Sequence, residues 1–464
     1  MPRRTASIAT ALSVLMIGAT LIAGCGTKNN NTEVVCNTAA DLSSEDALAL
    51  NEEIAELTKS IKINPKDPVA FYNRANAKYN LKDCQESIAD YNKAIEISPQ
   101  YADAYSGRGL AKTELGDYQG AVVDYNTAIE INPQYSDAYY NRGRVRYELR
   151  DYQGAVVDYS KVIDINPQYS DAYYNRANAK YNLKDYQGAI ADYNKAIEIS
   201  PQYADAYSDR GLAKTELGDY QGAVADHNKA LEINPQLAIA YINRGKTRQV
   251  LKDYQRAIAD FDKAIEINPQ IADAFSGRGR VNLVIKDYQR AIADFRKAIE
   301  INPQDAVVYN DRGIAHWFFA DDDSGTAKIY SNDYLLSEAI LDFDRAIEIN
   351  PKLLRAYFNR GNVMHRLNNY EGAVADYNKV IEMNPQYADA YSVRAFAKYY
   401  LKDYQGAIAD YNKVIGFNKQ DARAYGWRGI NKELIGDLKG ACVDWKEASS
   451  LGNIDAAEFV KDQC

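Results

Sequence analysis

The 464-residue chain is 46% hydrophobic and 26% charged, and its 55 Lys and Arg stand against 64 Asp and Glu for a net charge of −9. That balance is ordinary for a folded soluble protein, and its acidity argues against nucleic acid and against electrostatic attachment to a membrane. The oddity is 38 Tyr beside 11 Phe and 3 Trp; the length, normally a sign of two to four domains, loses that meaning where a chain repeats.

Arg3 and Arg4 precede an apolar run from about Ile8 to Ile22, too short to span a bilayer comfortably and of the kind that directs export. The run ends in Leu21-Ile22-Ala23-Gly24-Cys25, which resembles the lipobox of bacterial lipoproteins. The resemblance implies that residues 1–24 leave as a signal peptide and that Cys25 is acylated. Two or three acyl chains anchor a protein firmly, whereas one is marginal at about 0.8 kcal/mol per buried CH₂. Under the lipoprotein sorting rule a non-acidic residue such as Gly26 favours the outer membrane. The alternative is a plain secretory signal whose Cys is incidental. Loss of residues 1–24 removes two Arg and takes the charge from −9 to −11.

Residues 25–42 read as the lipidated Cys and a polar tether, with Asn29 to Asn31 at its centre. A helix capped by Ser43 or Ser44 runs to about Lys62, and residues 43–67 form an N-terminal capping half-repeat. Beside Cys25 the chain has Cys36, Cys84, Cys442 and Cys464. An even number in an oxidising compartment suggests two disulfides. Of the three pairings, sequence proximity favours Cys36–Cys84 with Cys442–Cys464.

From there Pro65, Pro99, Pro133, Pro167, Pro201, Pro235, Pro269 and Pro303 stand 34 residues apart, and Pro351 and Pro385 resume the period after one interruption. In residues 102–135, helix A runs from about Ala102 to Leu115, with Asp103 in its first turn where the dipole favours an anion. Gly116 ends it, able to take positive φ, and Asp117 caps helix B. Tyr118, Ala121, Val122, Tyr125, Ala128 and Ile129 fall on one face of that second helix. Asn132, ahead of Pro133, is pushed towards extended backbone and stops it. A hairpin of this kind cannot bury its own face and must stack on neighbours.

This 34-residue pattern resembles the tetratricopeptide-repeat family. The resemblance implies an all-α, right-handed superhelical solenoid of eleven repeats over residues 68–455, closed by a capping helix at 456–464. Gly109 and Ala121 match the family's small positions. Two positions depart: every unit has Arg in helix A where the family usually has Leu, as at Arg176, and Asp in helix B, as at Asp192. Recurrence inside one chain argues for a partly buried ion pair between the helices.

Repeat eight carries a 14-residue insertion at about 321–334. Asp321, Asp322, Asp323 and Gly325 lack the ligand spacing of a calcium loop, so a solvated loop is expected. Towards the end, antiparallel helices about Gly452 would bring Cys442 level with Cys464, within reach of a bridge. Residues 72–83 recur at 174–185, an offset of three units; block duplication suits a solenoid and ill suits a shaped catalytic pocket.

In the tetratricopeptide family helix A lines a concave groove that holds partner peptides. Carried over, the candidate groove residues are Tyr72, Asn73, Asn76 and Tyr79 in the first unit, Tyr140, Asn141, Arg144 and Tyr147 in the third, and Tyr174, Asn175, Asn178 and Tyr181 in the fourth. Tyr supplies contact area and a hydroxyl at low entropic cost. Ile242, Val250, Leu283, Val284, Trp317 and Phe318 form a later apolar stretch suited to an amphipathic helix. The Lys/Asn/Lys/Arg carboxylate clamp of chaperone-binding relatives is absent. His227, His316 and His365 have no metal-ligand spacing, and no nucleophile elbow or phosphate loop exists. The expectation is a non-catalytic scaffold with no cofactor, no metal and no nucleic acid, lipid-anchored at a bacterial envelope and binding proteins in its groove. An assembly chaperone resembling the photosystem-assembly tetratricopeptide proteins, or a glycan or cell-wall binder, is the alternative.

Overall fold

The computed structural model describes residues 44–321 and 331–464. The chain divides into two compact units, residues 1–247 and 248–464, and every described element is helical.

Unit 1 opens with α1 (Ser44–Ile63) and continues as hairpins: α2 (Pro68–Asn80) with α3 (Cys84–Ile97), then α4 (Ala102–Glu114) with α5 (Tyr118–Ile131). Next come α6 (Ser136–Glu148) with α7 (Tyr152–Ile165), α8 (Ser170–Asn182) with α9 (Tyr186–Ile199), and α10 (Ala204–Glu216) with α11 (Tyr220–Ile233). The helix α12 (Ala238–Val250) crosses the unit boundary. Unit 2 holds α13 (Tyr254–Ile267), α14 (Ala272–Val284) with α15 (Tyr288–Ile301), and α16 (Ala306–Ala320) with α17 (Asn332–Ile349). It ends with α18 (Leu354–Arg366) and α19 (Tyr370–Met383), α20 (Ala388–Tyr400) and α21 (Tyr404–Phe417), α22 (Ala422–Leu434) and α23 (Leu438–Ser450), and finally α24 (Ile454–Gln463).

Local chemistry sets the boundaries. The Asp117 carboxylate accepts from the Gly120 amide at the head of α5, and Asp151, Asp185 and Asp219 do the same one, two and three repeats on. Helix A ends in a residue of positive φ, which is glycine at Gly116 (+77°) and Gly218 (+82°) but Lys at Lys184 (+63°) and Lys402 (+61°). A side chain in that conformation costs roughly 1–2 kcal/mol relative to its preferred backbone. The last helix begins at Ile454, where Asn453 caps it through the Ala456 amide. The insertion is described only at its edges: Asp321 pairs with Arg366 at 2.5 Å, and residues 322–330 lie outside the described residues.

Within a hairpin the two helices close through an aromatic ring set against a small residue. Tyr125 is fully buried, and a Cβ at Gly109 would lie 2.8 Å from its ring. The equivalent ring is Tyr159 in the next repeat, Phe295 in α15 and Trp445 in α23, all within 1% of full burial.

The recurrent Arg and Asp form the ion pair the sequence suggests, and more. Arg176 donates through Nε and Nη2 to both oxygens of Asp192, at 2.8 and 2.7 Å. Asp192 is buried at 4% exposure. A second cation, Lys180, reaches the same Oδ2 at 2.7 Å. The remaining Nη1 of Arg176 donates to Ser160 on α7, the second helix of the preceding repeat, at 3.0 Å. Arg108 bonds Asn92, and Arg142 bonds Asn126, in the same way. The guanidinium also lies over the ring three residues before it, as Arg176 does over Tyr173 at 5.6 Å. Each such Arg therefore ties three helices together. In repeat nine the second-cation position is Met364, so Arg360 alone among the described side chains brings a cation to Asp376, at 2.6 Å, and burial pushes that carboxyl above its usual range.

One core ring is out of character. His227 replaces the buried aromatic in α11 at 0% exposure, and neither ring nitrogen has a partner. Burial holds its pKa down at about 3.

Three outcomes follow from this packing. Arg360→Gln leaves a buried carboxylate without its cation and costs about 3–5 kcal/mol, whereas Arg176→Gln, with Lys180 still on Asp192, costs roughly half as much; equal losses in urea titrations would refute the role of the second cation. Lys184→Gly relieves positive φ and raises stability by about 0.5–1 kcal/mol, read as a higher melting temperature; no gain means the strain is absorbed elsewhere. His227 binds its proton more readily when unfolded, so stability is intact above pH 6.5 and falls as pH drops towards 3, by up to about 1.4 kcal/mol per pH unit. His227→Phe therefore widens its stability advantage over wild type between pH 7 and 4.5, and a pH-independent difference would contradict a neutral core imidazole.

Candidate functional site

Successive first helices of the hairpins touch within unit 1, and the side chains at these contacts build a continuous wall. Three registers carry it, counted from the packing Arg: the residue just before, the residue two after and the residue five after. The first holds Asn73, Asn141, Asn175 and Asp209, the second Asn76, Arg144 and Asn178, and the third Tyr79, Tyr147 and Tyr181.

Hydrogen bonds between neighbouring first helices fix the wall. Asn175 Nδ2 donates to the Tyr140 hydroxyl at 2.9 Å, and Asn182 Nδ2 to that of Tyr147 at 2.9 Å. The Tyr174 hydroxyl donates to Asp209 at 2.7 Å. From behind, the core tyrosines Tyr91 and Tyr193 donate to Asn76 and Asn178, each at 2.5 Å. Tyr72, Tyr140 and Tyr174 also pack on tyrosines of the connecting loops: Tyr101 at 5.1 Å, Tyr169 at 5.1 Å and Tyr203 at 4.9 Å. Burial raises the pKa of Tyr140 to about 12 and that of Tyr174 further, with Asp209 adding to the latter. These hydroxyls are neutral at any physiological pH.

The twelve candidate residues are thus placed together along one wall, in different states. Arg144 is exposed; Tyr72, Asn73, Asn76, Tyr79, Tyr140, Asn141, Tyr147, Tyr174, Asn175 and Asn178 are half-buried; Tyr181 is buried at 8% and presents little more than an edge. Sequence reasoning passed over Asp209, which shares the register of Asn175, and the loop tyrosines. Aligning the repeats at the packing Arg would have found Asp209, because the residue before that Arg changes from unit to unit.

In unit 2 the same registers hold the charged residues Arg280 and Asp311 and become richer in apolar and aromatic side chains towards Val393, Phe396 and Trp427. Phe396 stands 5.3 Å from His365, 5.1 Å from Tyr400 and 4.8 Å from Trp427. Of the later apolar stretch, Phe318 and Val250 are exposed, Trp317 is half-buried and packed 5.5 Å from Phe318. Ile242, however, is fully buried; its position in α12 faces the core, so it offers nothing to a partner.

Cys442 and Cys464 are joined, with Cα atoms 5.6 Å apart, holding α24 over α23, where Phe459 covers Trp445 at 5.1 Å. Cys84 is buried and disulfide-bonded; Cys36, its expected partner, and Cys25 lie outside the described residues. No described helix is long and apolar enough to cross a membrane.

The model of the family described as "TPR repeat" matches residues 79–113, 109–149, 143–184 and 211–249. Two described as "Tetratricopeptide repeat" match 170–203 with 354–387, and 237–306. No curated protein matches. Among solved structures, the chain resembles a tetratricopeptide repeat protein of Parabacteroides merdae at 20% identity, covering 53% of this chain and 98% of that one with a TM-score of 0.46. It also resembles YrrB, described as a TPR protein with an unusual peptide-binding site, at 23% identity over 40% of this chain and 95% of that one, TM-score 0.37. Yeast Tom70 matches at 16% over 85% and 95%, TM-score 0.36. Repeats of this type generally serve as interaction scaffolds. With matches spread over both units and a helical hairpin at each, the chain belongs to the tetratricopeptide-repeat family.

Proposed function

We propose that the chain is a non-catalytic scaffold, anchored by lipid on Cys25 at a bacterial envelope, that holds peptides or helices of partner proteins along its helix-A wall. The observation that carries this reading is the contrast between faces. The packing positions scarcely vary along the chain, as the Arg and Asp of every unit show, while the wall registers change from Asn to Asp, Arg, Leu, Phe and Trp. Residues free of packing duty yet held rigid by inter-repeat hydrogen bonds suit recognition, since a preorganised surface loses little entropy on binding. The lipid anchor rests on the sequence around Cys25 alone.

Cross-linking the full chain in its native envelope, followed by affinity capture and mass spectrometry, tests the scaffold. Cross-links should cluster near Tyr72, Tyr140 and Arg144; clustering at the exposed Val123 and Val157 on the second helices would move the binding face elsewhere. Tyr140→Ala with Tyr147→Ala should cut capture by about tenfold or more while leaving helical content intact, as loss of aromatic hot spots does. Stable complexes identify an adaptor, transient ones an assembly chaperone, and a glycan-array signal without protein partners would replace both. Cys25→Ala should abolish incorporation of radiolabelled palmitate and move the chain out of the membrane fraction.

A further inference from the structure

On the wall of unit 1, Arg144 and Asp209 are arranged so that neither is neutralised by its neighbour. Unit 2 shows what neutralisation looks like. There Arg280, two residues after the packing Arg, donates to Asp311, the residue before the next packing Arg, at 2.7 Å. Those two registers, 31 residues apart, are therefore in contact. In unit 1 the exposed cation of the second register is Arg144, and the residue 31 positions on is Asn175, already donating to Tyr140. The anion of the first register is Asp209, and the residue 31 positions back is Asn178, already accepting from Tyr193. The cation and the anion are displaced by one repeat and miss each other.

Arg144 is exposed, and its charge bears on tyrosines from several repeats, Tyr79 of α2, Tyr125 of α5 and Tyr159 of α7 among them. It stands over the wall with no carboxylate on it among the described residues. Asp209 is set low between α8 and α10, its edge still open to solvent. The groups facing it are the Tyr174 hydroxyl from α8, Tyr193 from α9 and Asp205 from its own helix. The helix α11 presents the neutral His227 to Gly211, and α12 presents Asn243 to Ser208. No described side chain brings Asp209 a cation.

We propose that unit 1 selects peptide segments carrying both signs of charge, with an acidic group placed on Arg144 and a Lys or Arg side chain placed on Asp209. This rests on the wall being the binding face and names what it takes. Charge-assisted hydrogen bonds are strong where water is thin, and a half-desolvated carboxylate gains more from an arriving cation than an exposed one does. Burial and Asp205 hold the Asp209 carboxyl up at about 6. A bound cation favours the ionised form, so binding releases a proton below about pH 6 and affinity falls as the medium is acidified.

The chain supplies its own conservative variants. Asp209→Asn installs the residue found in that register at Asn73, Asn141 and Asn175, and Arg144→Asn the residue found at Asn76 and Asn178, so both should fold. A phage library of random peptides, about twelve residues long, is panned at pH 7 on the full chain and on each variant. The wild-type pool should be enriched in peptides with an acidic and a basic residue at fixed separation. The Asp209→Asn pool should lose the basic residue and the Arg144→Asn pool the acidic one. Synthetic copies should bind each variant about tenfold more weakly, and their loss of affinity between pH 7 and 5 should vanish in Asp209→Asn. Enrichment of uncharged peptides that bind all three proteins equally, yet lose binding to Tyr140→Ala with Tyr147→Ala, would overturn the charge selection and leave the wall as the binding face. No enrichment on the wild-type chain would overturn both.

Discussion

The structure depends on one guanidinium per repeat. Where a tetratricopeptide hairpin usually closes on apolar contact, here Arg grips the Asp of its own second helix with two bonds and the second helix of the preceding repeat with a third. The first contact closes the hairpin and the second sets its distance from the neighbour. Because the Asp is buried, neither partner can be lost alone without leaving an unpaired charge. The flat ion also stacks on the aromatic residue one turn earlier, so Lys could not substitute: it lacks both the fork and the plane. An ionic network of this geometry tolerates one register and penalises slippage, which hydrophobic contact by itself does weakly.

That stringency divides the labour within each hairpin. The buried ring, the small residue against it and the Arg and Asp are fixed by packing. Side chains on the other edge of the first helix reach the next first helix through bonds such as Asn175 to Tyr140, and their identity varies from repeat to repeat while the stack is kept. Unit 1 spends that freedom on tyrosine hydroxyls, amides and a few charges. Unit 2 spends part of it on the pair of Arg280 with Asp311 and more of it on rings, with His365, Tyr400 and Trp427 around Phe396. One repeated scaffold thus displays two chemically distinct surfaces.

Much of this could be read in the amino-acid sequence, for reasons that are local. Gly116 and Asp117 mark the hairpin turn because positive φ and an N-cap carboxylate are properties of single residues and their immediate neighbours. The pairing of Arg176 with Asp192 was legible because both recur in step. The third member, Lys180, was not: its reach to Asp192 depends on the angle between the two helices. Nor was the bond from Arg176 to Ser160, which crosses from one repeat to the one before. Ile242 was misjudged for a similar reason; its place beside the packing Arg does not reveal that the helix turns it inward, to full burial. Contacts within a turn of backbone are encoded by neighbours, whereas contacts between repeats need the stacking register first.

The closing helix sets a boundary on growth. A stack of identical hairpins ends on a sticky apolar face that would welcome another hairpin, including one from a second molecule. Here α24 lies across that face, with Phe459 over Trp445 and Ala456 buried beside it, and the bond from Cys442 to Cys464 keeps it from swinging away. What it turns outward is Asp455, Glu458, Lys461 and Asp462, all exposed. This end of the stack therefore presents mostly charged side chains to solvent in place of the open apolar face of a hairpin.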